Sequence, residues 1–503
     1  MERIYASSIA DLDSNVITGG GTDVTDKLQA VLDKALTCNG VHLVIDGAAL
    51  VSGLKLYSNT IIECPNKDCG LYLMDNANRP ILSNADWSFK NINSRNISII
   101  GGTYNHNCAH QLHNVSPEDF PWPSDFEPYE GIEEIEKHFV CLFEFYGVEN
   151  LIIRDVLFLN QRTYTLTLGN FKNAFIENSA IEMTQQVWPS NQDGFHFFGP
   201  GQFLTMKNVR GSTGDDFINV APDELDGVSS ITDVLIDGIF LDDTCQGIRM
   251  LSKKDGRLDR VTVKNVTGTY RTFGFSIIPF YPGENFGNVG DLYFENIDLR
   301  QIPETYHYTP LTFFQLGGNI ECVTMKNIRF HNPVRNNVVF DIGRPFHYCP
   351  PELPEEEIEL YQLGSSIEEY KIDWMPLGAR PHIKNFIIDG LTIINDNRSD
   401  DTEIFELRYK IDNFIAKNIQ VFRTEDSKSS GNLIKLADEA EINNLIVEDV
   451  FAEKLESIIV SDESNKVKVL KAKNITLKDG ESVLLMDKAI VDKTIISDVE
   501  EIK

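Results

Sequence analysis

The chain has 503 residues, 42% of them hydrophobic and 24% charged, which is ample material for a large buried core. Its 76 acidic and 45 basic residues give a net charge of −31. Such a surface repels DNA, RNA and anionic membranes, so no nucleic-acid and no membrane partner is expected.

The N-terminal Met1-Glu-Arg-Ile-Tyr-Ala-Ser-Ser lacks the basic-then-apolar pattern of a signal peptide, and no apolar run is long enough to span a membrane. The eight cysteines show no CxxC spacing. Reduced thiols in a cytoplasmic or virion-associated protein are therefore expected. The first periodic element is Thr22–Leu36 (TDVTDKLQAVLDKAL), amphipathic at a helical period, with Thr25 and Asp26 as its N-terminal caps. It is expected to close the N-terminal end of the fold, within a cap and first coil over residues 20–60.

From there one short pattern returns along the chain: an apolar pair, a polar residue, Asn, Asp or Gly, and a further apolar residue. It reads NISIIGGTY at Asn96, NLIIRDVLF at Asn150, DVLIDGIFL at Asp233, CVTMKNIRF at Cys322 and NLIVEDVFA at Asn444. The recurring Asn, Asp or Gly falls at 178, 208, 237, 265, 296 and 327, a period of about 30 residues. A second series of β-rich runs alternates with the first, among them VCLFEF at Val140, TYTLTL at Thr163, DGFHFF at Asp193, DDFINV at Asp215 and QGIRML at Gln246.

Short Val-, Ile- and Phe-rich runs with alternating faces make a sheet. A period near 30 matches one coil of a parallel β-helix, in which each strand pairs with its equivalent one coil away, about 4.8 Å distant. The predicted fold is all-β: a right-handed parallel β-helix with a short N-terminal capping helix, as one domain over residues 1–503. Length alone would suggest about three domains, but a solenoid grows without splitting. Residues 105–138 and 343–381 break the pattern with Pro, aromatic and acidic residues, as loop insertions that wall a groove or make an oligomer contact.

Aligning the second series coil by coil places Asp193, Asp216 and Gln246 at equivalent positions. Three residues further on stand His196, Asn219 and Arg249, followed in later coils by Ser276, Gln315 and Asp341. The next column (Phe197, Val220, Met250, Ile277, Leu316) is uniformly apolar and points inward, so His196, Asn219 and Arg249 point outward. This predicts a polar ladder on an exposed sheet with Asp193, Asp215 and Asp216 at its rim. Neighbouring carboxylates repel, which raises the pKa of one of them, and one protonated acid beside one ionised base is what glycoside cleavage requires.

SNQDGFHF at Ser190 and STGDDFINV at Ser212 resemble the NTDG-[FI]-[HD] and TGDD-C-I-[SA]-I motifs of glycoside hydrolase family 28, the polygalacturonase-like enzymes. GTDVTDKLQAVLDKAL and SGLKLYSNTIIE are similar to the opening of the same enzymes and of some phage tailspikes. The resemblance spans roughly residues 20–280. It implies a polysaccharide or oligosaccharide substrate and an inverting acid–base hydrolysis that needs no metal and no cofactor. In that reaction Asp215 would be the general acid, and Asp193 and Asp216 would hold and activate the water. Asn191, Gln192, His196, Asn219, Gln246, Arg249 and Trp188 would contact the sugar. The chain departs from the family at two places: Cys245-Gln246-Gly247 stands for its Gly-His-Gly, and Ser276-Ile277-Ile278 for its Arg-Ile-Lys. Spike-like proteins of this shape are often trimers, so a homotrimer is carried as an expectation.

Each of these residues also has a plain structural use. An Asp at a strand end caps a turn, and a strand His is commonly a satisfied structural one. Arg249 can pair with Asp242 or Asp243. Asn191 and Gln192 can serve the turn backbone, and Trp188 can be core. Two further classes stay open: a non-catalytic carbohydrate-binding or tailspike-like β-helix, and a lyase or epimerase with Arg249 as proton acceptor.

Overall fold

The recurring apolar runs form parallel strands stacked coil upon coil. The computed structural model describes residues 3–116, 118–120, 125, 138–187, 189, 191–252, 254–278, 287–302, 311–331, 338–344, 380–395, 402–425, 430–485 and 490–502. The chain divides into two compact units, Met1–Met250 with Gly256–Tyr270, and Leu251–Asp255 with Arg271–Lys503. Each is a right-handed parallel β-helix stack.

The first unit opens with an α-helix over Thr25–Leu32 that buries Leu28, Val31 and Leu32 and runs on as a 3-10 turn over Asp33–Leu36. Its cap differs from the expectation. Asp23 accepts the Thr25 N–H at 2.9 Å, while the Thr25 hydroxyl, already in the helix, accepts the Ser52 N–H at 2.7 Å. The acceptor two residues earlier is better placed because Thr25 itself has helical backbone.

Runs that read as separate strands are joined here into long bent ones, such as Phe143–Arg154, Leu166–Glu177 and Phe195–Gly211. One inward column passes through Leu82, Phe143, Leu166, Phe195, Ile218 and Ile248, all fully buried. Each such side chain contributes roughly 1.5–3 kcal/mol by leaving water. The corners are turned by residues in the left-handed region, Asn178 (φ 51°), Asn208 (φ 52°) and Asn265 (φ 57°) among them. Their amides also bond coil to coil: Asn208 donates to Asn178 at 3.1 Å and Asn178 to Asp155 at 3.2 Å. In the coil of Asp237 the left-handed residue is Gly238 (φ 77°), one place later, and Asp237 accepts from Asn265 at 2.7 Å.

The described part of the 105–138 insertion is anchored to the first unit. Val115 pairs with His138 in a short antiparallel ladder, and Asp125 accepts the N–H groups of Phe89 and Lys90, each at 3.0 Å. His138 reaches Glu144 at 2.8 Å, both 1% exposed, and so covers one end of the outward polar column. Of the second insertion, residues 345–379 lie outside the described residues.

In the second unit the inward column is aromatic: Phe314, Phe340 and Phe405 are in register, and Phe340 stacks on Phe405 at 4.6 Å. Its outward column, Gln315, Asp341, Glu406 and Lys435, is a paired charge network. Arg344 bonds Asp341 at 2.9 Å and Arg408 bonds Glu406 at 2.8 Å. Among the described residues no helix is long and apolar enough to cross a membrane, and the seven described cysteines are free thiols.

Candidate active site

The site lies wholly in the first unit, on the outward face of its stacked strands. Thr167, His196, Asn219 and Arg249 occupy one column, in register across successive strands. Asp216 is in register with Gln246. Oxygen atoms of Asp193, Asp215 and Asp216 all lie within 4.8 Å of one another. That spacing would also suit oxygen ligands of a divalent cation.

Backbone packing explains the two glycines in the motif. A Cβ on Gly194 would sit 2.3 Å from the Phe217 carbonyl oxygen, and one on Gly214 would sit 2.4 Å from the Pro189 Cβ. The turn that carries Asp215 thus packs directly on the turn before Asp193. The Gly194 N–H donates to the Asp216 carbonyl at 2.8 Å, and the Asp215 N–H to the Gln192 carbonyl at 3.3 Å.

The ladder is outward but not exposed, contrary to the sequence-based expectation. His196, Asn219, Arg249, Asp193 and Asp216 are all no more than 6% exposed. Aromatic rings and the turn after Ala221 cover them. Tyr164 stacks on His196 at 4.5 Å, and Phe198 lies 4.3 Å from it. Asp215 is the member of the carboxylate group that remains partly open to solvent.

Each carboxylate has different partners. Asp193 accepts from His196 Nδ1 at 2.8 Å. Asp216 lies 2.9 Å from Arg249 Nε and accepts from Asn219 Nδ2 at 3.3 Å. Asp215 is held by the backbone N–H groups of Asn191 and Asp216 and has no cation in direct contact among its described partners. Burial, and after it the Asp193 charge, pushes the Asp215 carboxyl up to about 7, against the pull of Arg249. Burial also raises Asp193 and Asp216, opposed by His196 at the first and Arg249 at the second. The three carboxyls titrate together as one group, and Asp216 too is held well above the ordinary carboxylate range.

His196 is an imidazolium at neutral pH. Burial works to lower its pKa, but bonds to Asp193 and to Glu224, whose Oε2 is 3.0 Å from Nε2, raise it to about 9. Glu224 was missed in the sequence. It follows His196 by 28 residues, about one coil, in the turn beyond the strand Asp216–Ala221, and that spacing is the signal that would have found it.

The remaining candidates take these places. Arg249 pairs with Asp216, not with Asp242 or Asp243, and donates to Gln246 Oε1 at 2.6 Å. Gln246 is fully buried. Gln192 is buried and donates to the Gln161 carbonyl at 3.3 Å. Asn191 sits in the left-handed region, φ 53°. Trp188 lies outside the described residues.

Fold and site together define a parallel β-helix protein of the pectin-lyase-like type with a buried acidic cluster. No protein-family model matches the chain, and no curated protein sequence matches it. Among solved structures it is similar to the tailspike protein of E. coli bacteriophage HK620 in complex with pentasaccharide, at 11% identity over 92% of this chain and 76% of that one, TM-score 0.55. A point mutant of that tailspike, also with pentasaccharide, matches at 11% identity over 96% and 77%, TM-score 0.57. A hyperthermoactive exopolygalacturonase from Thermotoga maritima matches at 12% identity over 95% and 91%, TM-score 0.48. At these identities the likeness is one of fold.

Proposed function

We propose that the chain is a glycoside hydrolase acting on a polysaccharide or oligosaccharide by acid–base catalysis. The observation that carries this reading is the division of labour among three carboxyls within 4.8 Å: Asp193 and Asp216 each held by a cation, and Asp215 without one and partly open. Asp215, protonated near neutrality, gives its proton to the leaving oxygen. Asp193, beside the His196 imidazolium, activates a water that Asp216 helps to hold. Burial favours water over direct attack, since a sugar carbon needs more room than Asp193 (3% exposed) and Asp216 (2%) offer.

A lyase would need a free basic group, and Arg249 is tied to Asp216 and Gln246. The second reading, a glycan-binding appendage without catalysis, is favoured by the likeness to tailspike structures in complex with pentasaccharide, and with it go a virion-associated location and a homotrimer. Incubation with a glycan panel separates the readings. New reducing ends without the ultraviolet absorbance of an unsaturated sugar support the hydrolase. Unsaturated product supports a lyase, and binding without product supports the appendage.

A further inference from the structure

The second unit carries a cavity that the proposed reaction does not use. Its volume is about 400 Å³, within the range of roughly 300–1,000 Å³ usual for ligand sites. It opens where three stacked strands begin, Asn288–Gln301, Asn319–His331 and His382–Asn395. Val289 lies opposite Ile320, and Asn319 opposite His382. Asn288, Asn319 and His382 therefore line it from successive coils, about 4.8 Å apart, with the buried Val289 and Ile320 at its base. Its walls are fixed by the backbone. Gly287 lies in the left-handed region (φ 64°), and a Cβ there would sit 2.4 Å from the Ser252 carbonyl oxygen. The Asn288 N–H donates to Ser252 Oγ at 2.8 Å, and the His382 N–H to the Gly318 carbonyl at 3.1 Å. These contacts shape the cavity without help from a ligand.

The lining carries both signs of charge. Lys254 and Lys384 bring ammonium groups, Asp255 and Glu321 bring carboxylates, and Lys384 lies 3.8 Å from Glu321. His382 is paired with Asp412 at 3.0 Å. A ligand anion meets the carboxylates and a ligand cation the ammoniums, so neither sign is favoured. A hydroxyl both donates and accepts. Ammonium, carboxylate and the amides of Asn288 and Asn319 all suit it. A peptide strand finds no edge to extend, because the three strands beneath are each paired on both sides within the stack. We propose that this cavity binds a neutral oligosaccharide, laid along the stack with its hydroxyls on the polar groups of successive coils. None of the lining residues belongs to the carboxylate cluster of the first unit, so the inference does not rest on the hydrolase reading.

The test is calorimetric titration of the full chain with a panel of neutral oligosaccharides, an oligogalacturonate and spermidine, with amide hydrogen exchange to locate the bound ligand. The comparison is the double variant Asn319→Ala with Lys384→Ala. Both side chains are exposed, so the variant keeps the fold, and an unchanged Tm checks this. The expected result is a neutral oligosaccharide that binds the wild type and slows exchange where the strands of Asn288, Asn319 and His382 begin. The double variant should bind it at least about tenfold more weakly, the loss of two hydrogen-bonding groups. No neutral member protecting these strand starts, equal affinity in the double variant, or tighter binding there of the oligogalacturonate or of spermidine would overturn the proposal. Protection here by a glycan that is never cleaved leaves this site standing and removes the hydrolase. Cleavage of a glycan with no protection here by any member does the reverse.

Discussion

Arg249 reaches across one coil to Asp216, Nε 2.9 Å from Oδ2, and this contact sets a cation beside one buried carboxyl, while Asp215 has none in direct contact among its described partners. Both partners are buried, so neither charge is tolerable alone. Replacing Arg249 with Met leaves an uncompensated carboxylate and is expected to cost about 3–5 kcal/mol. Arg249→Met with Asp216→Asn recovers much of that loss. Denaturant midpoints of the two single variants and the double measure the coupling, and additive losses would mean the pair is not an interacting unit.

Asp215 makes a contrary prediction. A carboxyl whose folded pKa of about 7 stands above its ordinary 3.8 binds its proton more tightly when folded. Its contribution to stability is therefore full below pH 3.8 and is lost as pH rises through about 7. Asp215→Asn removes that penalty, so the variant should be more stable than wild type at pH 8 by roughly 2–4 kcal/mol and nearly equal to it at pH 4. His196, raised from 6.5 to about 9, stabilises fully below 6.5 and stops doing so as pH rises through 9. The wild type should thus weaken as pH rises, with the raised Asp193 and Asp216 also contributing, and Asp215→Asn should weaken less through pH 7 while keeping the His196 step. Thermal unfolding from pH 4 to pH 10 shows whether the loss through pH 7 is smaller in the variant.

The corner asparagines test the scaffold. Asn208 combines a left-handed backbone (φ 52°) with an amide bond to Asn178. Asn208→Ala loses both the conformational ease and the bond, at a cost of about 1–2 kcal/mol. Asn208→Gly keeps the ease and should cost less, as the glycine already present at the equivalent Gly238 suggests. Equal losses in urea denaturation would show that the side-chain ladder alone matters.

Stereochemistry tests the role of the buried acids. Proton NMR of the first-formed sugar should show inversion at the anomeric carbon, the outcome of attack by water held at Asp193 and Asp216. Retention would instead make one of them the nucleophile.

Much of this architecture was legible because a β-helix repeats. Once the coil length was known, the pairing of His196 with Asn219 and Arg249 followed from position alone. What the repeat does not encode was not legible. Glu224 sits in a turn outside the strand pattern, and the cover over the ladder comes from Tyr164, Phe198 and the insertion that carries His138. The pairing of Arg249 with Asp216 instead of the nearer-in-sequence Asp242 or Asp243 depends on which side of the strand each faces. Alternation along a strand says outward; only the neighbouring loops decide whether outward means wet.

The most direct measurement is the rate of glycan cleavage by Asp215→Asn beside wild type, on a glycan the wild type cleaves, with binding of that glycan measured in both. The account predicts a loss of roughly 10²–10⁴-fold in turnover with binding retained. Equal rates in the two proteins would contradict it.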